Sequence, residues 1–311
     1  MNAHTAQPAS GSSARLLGRQ RLLLQLLGAL GGSATMSDFQ KLLFLWCHDE
    51  QVDNPPYDFV PYRFGAFSFT SYADRRKLIE RGFLVDDDQS WSLSDEGREV
   101  AGVEFDGGTT SFVKKYRSLR GDKLVAETYR RFPYYAIRSE IAERVLVGEQ
   151  EALERIADAR RPSEASPLTT IGYEGHTLER FLNTLLRGGV TLLCDVRRNA
   201  LSRKYGFSKG TLSRGCGGVG IRYEHLPQLG IASAQRQELS TPADYDMLFA
   251  QYRTTWLPTQ GEAIDTVADW ISCGERVALM CYEHLPRQCH RHCVAETLGA
   301  RLRGSVSVTH L

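Results

Sequence analysis

Long hydrophobic runs, an excess of charge of either sign and a regular cysteine framework are all missing from this 311-residue chain. The apolar stretch at residues 22–30 is broken by Gln25 and falls short of the roughly 20 residues that a spanning helix needs, so no membrane partner is expected. With 38 basic against 37 acidic side chains the molecule has no strong overall field. Any nucleic-acid partner therefore has to be met by a local patch. Seven cysteines, an odd number without regular spacing, do not describe a secreted disulfide scaffold, which makes reduced thiols and a cytoplasmic location the expectation. What remains is ordinary for a globular protein, 42% hydrophobic and 24% charged, and the length suits two domains.

The small, polar residues 1–15 read as a disordered start. Leucines at helical spacing over 16–31 stop at Gly31-Gly32, and Thr35, Ser37 and Asp38 offer caps for a second helix, FQKLLFLWCHDE. After Pro55-Pro56 and the extended piece YDFVPYRFGAF, a third helix, SYADRRKLIERG, closes at Gly82. FLVDDD and WSLS then read as a short hairpin. Three helices and a hairpin over 16–105 resemble the winged helix-turn-helix modules of bacterial regulators and antitoxin-like proteins. That resemblance makes the third helix the recognition element, with Ser71, Asp74, Arg75 and Arg76 toward DNA. A wing that binds protein instead is the alternative.

Residues 106–166 read as a basic helical connector and linker. Between Ser111 and Arg138, Lys114, Lys115, Arg117, Arg120, Lys123, Arg130, Arg131 and Arg138 face only Asp122 and Glu127, and tyrosines 116, 129, 134 and 135 are interleaved. Cations for phosphates and aromatics for stacking make Lys114, Lys115, Arg117 and Arg120, together with Arg75 and Arg76, candidates for holding nucleic acid, double-stranded DNA above all. A solvated helix bridging two domains would carry the same charges.

From 167 to 311 the pattern alternates strand and helix: LTTIG, HTLERFLNTLLRGG, VTLLCDV, two later helices, RVALMCYE, a helix from about Cys289 and a last strand SVSVTHL. The expected fold class is α/β, a three-layer, Rossmann-like and mainly parallel sheet preceded by a mostly α winged-helix domain. Ligands of such sheets bind at the carboxyl ends of the strands, where Tyr173, Asp195, Arg197, Cys281 and Glu283 fall.

Four segments in order, IGYEG, DVRRN-x-LSRKYGFSK, GIRYEHLPQLG and C-x-E-x5-CHR, resemble the family catalogued as domain of unknown function 488, with the resemblance running over essentially all of 169–311. Ala200 departs from the proline expected after the asparagine. The resemblance implies a fold and a pocket, but no reaction.

The residues themselves suggest chemistry. Asp195 and Glu283 are the carboxylates for acid, base or nucleophile work, with Cys281 and Tyr173 as further catalytic candidates. Arg197, Arg198, Ser202, Arg203, Tyr205, Lys209 and, at a helix start, Arg291 form the expected phosphate-binding set. Cys281, Cys289, His290 and Cys293 lack paired C-x2-C arms, so no metal and no cofactor is expected, and Cys281 is either an activated nucleophile or a packed thiol. Together these point to a DNA-acting hydrolase, favoured as a DNA glycosylase acting on a base with or without a modification, with defence against foreign DNA as the suggested setting. A nuclease is the sibling reading. A DNA-binding regulator with a nucleotide- or redox-sensing α/β domain is the rival. Oligomeric state is left open.

Overall fold

In the computed structural model, residues 15–102, 107–160, 166–236, 239, 241–302 and 306–311 are described. Residues 1–14 of the disordered start expected over 1–15 and most of the RPSEASP linker lie outside them. In chain order the elements are α1 (Gly18–Ala29), β1 (Ser33–Thr35), α2 (Met36–Asp49), β2 (Val60–Tyr62), β3 (Gly65–Phe67), α3 (Phe69–Glu80), β4 (Ser90–Ser92), α4 (Asp95–Ala101), α5 (Gly107–Tyr116), α6 (Asp122–Arg131), α7 (Ala142–Val145) and α8 (Gln150–Ala159). They continue with β5 (Leu168–Gly172), α9 (Leu178–Arg187), β6 (Leu192–Asp195), α10 (Lys209–Gly218), β7 (Arg222–His225), α11 (Pro242–Gln251), α12 (Gly261–Ser272), β8 (Val277–Cys281), α13 (Arg291–Arg301) and β9 (Val308–His310).

The chain divides into two compact units, one of residues up to Tyr57 with Ser71–Val125, the other of Asp58–Thr70 with Ala126–Leu311. The division falls elsewhere than at 105 and 167. The VPYRFGAF segment forms an antiparallel hairpin, β2 with β3, and goes with the α/β unit. The residues on either side of it make the contacts that decide this: Asn183 Nδ2 donates to Phe59 O at 2.7 Å, and buried Glu179 accepts from Thr70 N at 2.7 Å and Ser68 Oγ at 3.2 Å.

In the first unit α1, α2 and α3 pack with a short antiparallel pairing of β1 and β4, and Leu84 bridges Leu93. Thr35 caps α2 by accepting from Asp38 N at 3.1 Å. The third helix departs from expectation. Ser71, Asp74 and Arg75 are buried, leaving Arg76 as the exposed one of the four positions offered to DNA. Asp74 accepts from Arg19 Nε at 2.5 Å, Gln20 Nε2 at 3.0 Å and Tyr57 Oη at 3.1 Å, and Arg75 donates to the carbonyls of Asp87 and Ser90 while lying over the Trp91 ring. A short polar network fixes this helix from within, so its sequence face and its solvent face differ.

Lys41, also in α2, is buried, and burial pushes its ammonium down to about 7 against the pull of Asp38. Between that value and the ordinary lysine range the unfolded chain holds a proton that the folded chain has released, so stability rises as pH rises through the window. Lys41→Met is expected to remove this rise. Urea midpoints of both proteins near pH ~7 and ~9 check it: a wild-type gain no larger than that of the variant would contradict the burial of Lys41.

In the second unit five strands form one parallel sheet in the order β7-β6-β8-β5-β9. Side chains alternate across it. Leu168, Leu192, Cys194, Val277, Leu279 and Cys281 pack with residues of α11, α12 and α13, whereas Ile171, Leu193, Ala278 and Met280 pack with Phe181, Leu182 and Leu185 of α9 and Leu212 and Cys216 of α10. The three central strands are buried along their whole length, as a sheet covered on both faces requires. Their carboxyl ends, at Gly172, Asp195 and Cys281, lie side by side.

Candidate functional site

The sheet edge is built by close approach. Tyr173 N donates to Cys281 O at 3.2 Å and Glu174 N to Tyr282 O at 2.9 Å, extending the ladder past the strands. Gly172 sits so near the next turn that a Cβ there would collide with the carbonyl oxygen of Glu283. Gly230 is in the same position against the backbone of Arg197 and Arg198. Both glycines let loops lie directly on strand ends.

Asp195 and Arg197 form the buried centre, 0% and 6% exposed. The carboxylate accepts from Arg197 N at 3.1 Å, Nε at 2.8 Å and Nη2 at 2.6 Å, and from Tyr223 Oη at 2.7 Å. Burial alone would lower the guanidinium, but its bonds to Asp195 and that negative charge outweigh it, so Arg197 is raised. Burial, and then Asp195, push the Tyr223 phenol up as well. A carboxylate with four donors on it is held as a partner for Arg197.

Arg197 in turn organises Tyr173. Its Nη1 donates to Tyr173 Oη at 3.2 Å and its guanidinium lies 5.1 Å from the ring centroid, while Phe207 stacks on the ring at 4.4 Å. Tyr173 Oη also donates to Ser202 Oγ at 3.5 Å. The loop that carries Ser202 is tied down by Ser208, which accepts from Ser202 N at 3.1 Å and donates to Ser202 O at 3.0 Å. Where proline was expected, buried Ala200 accepts from Lys209 N at 2.8 Å through its carbonyl, and Asn199 Oδ1 accepts from Leu201 N, so local hydrogen bonds hold the turn.

From this loop Arg198, Arg203 and Lys209 are exposed, while Tyr205 donates to Phe69 O at 3.0 Å. Arg291 does not join them. It is 1% exposed, and its guanidinium donates to the carbonyls of Glu283 and His284 and to Thr170 Oγ1, closing the turn after β8 instead of meeting a phosphate.

Glu283 stands on that turn, partly exposed, with Cys281 Sγ donating to its Oε2 at 3.6 Å. Behind it Cys281, Cys289 and His290 are buried with one ligand atom each inside 4.8 Å of the others. Burial, and then the neighbouring Cys281, push the Cys289 thiol well up. Cys293, placed in the same group by its spacing, faces His292 Nε2 at 3.4 Å instead.

Two clefts flank Tyr282. One of about 170 Å³ is lined by Tyr173, Arg197, Arg198, Asn199, Leu201, Ile231, Cys281 and Tyr282. The other, about 560 Å³, is lined by Glu174, Tyr245, Asp246, Tyr282, Glu283 and Arg287 among others. Residues 177–298 match the family model described as "Domain of unknown function DUF488". The match takes in Asp195, Arg197, Cys281, Glu283 and the cysteine–histidine group of the second unit, but starts after IGYEG and ends before the last strand, so it is narrower than the motif resemblance. No curated protein and no solved structure matches the chain.

The sequence reading missed Tyr282, Asn199, Leu201 and Ile231 as cleft walls and Tyr223 as a partner of Asp195. Tyr282 carried a signal, since it stands between the two residues selected at the end of β8. Tyr223 stands in the quoted segment GIRYEHLPQLG, but β7 has no apolar run to announce a strand.

On the connector the structure supplies what the sequence spacing hid. Lys115 Nζ pairs with Asp49 at 2.9 Å, Arg120 donates to the carbonyls of Tyr116 and Leu119, and Arg130 Nε pairs with Glu149 at 2.7 Å. Tyr116 and Tyr129 are buried and so offer no stacking face, which removes them from the expected base-binding surface. Lys114 and Arg117 stay exposed.

Proposed function

We propose that the protein is a DNA-directed hydrolase whose α/β unit cleaves the N-glycosidic bond of a nucleotide, modified bases included. The reading rests on one observation: at the end of β8 the partly exposed Glu283 carboxylate and the Cys281 thiol stand on either side of Tyr282, Cys281 in the smaller cleft with Tyr173 and Arg197 and Glu283 in the larger one. Glu283 takes a proton from the water that attacks the anomeric carbon. The C1′–N bond breaks, and the departing base takes the proton up again. Exposed Tyr282 offers a face for a base, and Arg198, Arg203 and Lys209 offer charge for the phosphates. Within this reading the covered parallel sheet is Rossmann-like, and the first unit is a winged helix-turn-helix that holds duplex DNA through Arg76, Lys114 and Arg117. Defence against foreign DNA in the cytoplasm is the setting such a pairing would suit.

The test is incubation of the full chain with plain and base-modified duplex DNA, scored for alkali-labile abasic sites. Glu283→Gln is expected to slow turnover by about 10²–10⁴-fold with an unchanged melting temperature. Strand breaks without abasic sites would favour a nuclease, and neither product would overturn the enzyme. A regulator is favoured by one feature, the gathered thiols of Cys281 and Cys289, and it would show DNA affinity that responds to oxidant without turnover.

A further inference from the structure

We propose that Cys281, Cys289 and His290 bind a zinc-type divalent cation, with the fourth coordination position facing the Tyr173–Arg197 cleft. The three donor atoms are already gathered, with Nδ1 of His290 at 3.8 Å from Cys281 Sγ and 3.9 Å from Cys289 Sγ. A tetrahedral zinc with sulfur at ~2.3 Å and nitrogen at ~2.0–2.1 Å sets those edges at roughly 3.6 Å, so these two nitrogen–sulfur edges need to close by only a few tenths of an ångström.

The imidazole is turned for the task. His290 Nε2 lies 3.0 Å from Val196 O, and a carbonyl can only accept, so Nε2 carries a proton and Nδ1 is the nitrogen directed at the sulfurs. An outer N–H held by a backbone carbonyl is the arrangement that orients metal-bound histidines. All three ligands sit on fixed ground: Cys281 ends β8, Cys289 and His290 lead into α13, and Val196 follows β6.

Sequence spacing hides this set because its members are a strand end and a helix start rather than two C-x2-C arms. Cys293 shares a helical face with Cys289 on paper but turns to His292. Three protein ligands leave a position for water, the pattern of reactive rather than purely structural zinc. Cys281 lines the 170 Å³ cleft, and the Glu283 carboxylate stands 3.6 Å from its sulfur, near enough to orient that water. The cation site does not depend on which bond the enzyme cuts.

The experiment uses the full chain, purified reduced and chelator-treated, titrated with cobalt(II) and then zinc(II). One equivalent of cobalt is expected to give a thiolate-to-metal charge-transfer band and the strong visible bands of tetrahedral cobalt, both removed by one equivalent of zinc. Cys281→Ser and Cys289→Ser should each weaken zinc binding by more than about 100-fold, beyond what loss of a supporting group costs, and Cys273→Ser, an exposed thiol elsewhere, should leave it unchanged. The wild-type spectrum tests the site without relying on any variant folding. Absence of the charge-transfer band overturns the proposal, as does a band that survives both serine variants. A Cys281–Cys289 disulfide in protein isolated under air, with no metal uptake after reduction, overturns it in favour of a redox pair.

Discussion

Arg197→Ala is expected to destabilise the protein by about 3–5 kcal/mol, the cost of stranding a buried charge by removing its partner. Asp195 has no exposed surface, and three of its four donors come from Arg197, two of them guanidinium nitrogens. After the substitution only the Arg197 backbone N–H and the Tyr223 hydroxyl would remain on a carboxylate deep in the unit. Arg197→Lys should recover only part of the loss, because an ammonium is a single point charge and cannot reproduce the fork that grips both oxygens. Removing both charges tests the cause. In the double variant Asp195→Asn, Arg197→Met the cost should be clearly smaller than the sum of the two single costs, since neither partner is then left alone. Urea midpoints at constant slope measure all of this. A loss below about 1 kcal/mol for Arg197→Ala would mean that the pair is solvated, the range typical of surface ion pairs, and would end its role as the anchor of Tyr173.

Gly172→Ala is the second large effect, and it acts by shape alone. The new methyl group would occupy the space of the Glu283 carbonyl oxygen, with His284 Cα close behind. That carbonyl also accepts from the buried Arg291 guanidinium, so the turn has little freedom to retreat. Overpacking of this kind costs about 1–3 kcal/mol. The larger effect should be on activity, because the segment forced outward carries Glu283 and is continuous with Cys281. Gly210→Ala is the control: it lies in α10 with open space around the added carbon, and it should be neutral or slightly stabilising. If Gly172→Ala matches Gly210→Ala in melting temperature and turnover, the close approach of the two loops does not exist in solution.

Both predictions concern contacts that no local pattern announces, which is the general lesson of the comparison between sequence and structure. α1, α2, α9 and α12 were legible from apolar residues at helical spacing, α3 from the glycine that closes it, and the strands β5, β6 and β8 from short, largely apolar runs that suit a sheet covered on both faces. α10 was not, since KGTLSRGCGG is glycine-rich and forms a helix only because Leu212, Gly215 and Cys216 are buried. The hairpin of β2 and β3 read as merely extended. Its turn depends on Gly65 at φ +89°, and its place in the α/β unit depends on partners more than a hundred residues away, Glu179 and Asn183.

The site divides in the same way. The rule that ligands meet strand carboxyl ends selects Tyr173, Asp195, Arg197, Cys281 and Glu283 from the sequence, and the fold does bring them to one edge. What each can do was decided in three dimensions. Asp195 and Arg197 consume one another's charge, Arg291 and Arg75 spend theirs on backbone carbonyls, and Arg198, Arg203 and Lys209 keep theirs exposed.

The chain by itself determined an alternating α/β half with a C-terminal family signature and the strand ends that hold its polar residues, because periodicity and order along the chain are local properties. Only the tertiary structure decided which charges are satisfied inside and which thiols meet. Cys281 and Cys289 are eight residues apart and His290 is next to the second, yet their meeting depends on β8 ending where α13 begins and on Val196 accepting from His290 Nε2. Hydrogen-bond partners and burial are set by what lies across the fold, and that information is spread over the whole chain.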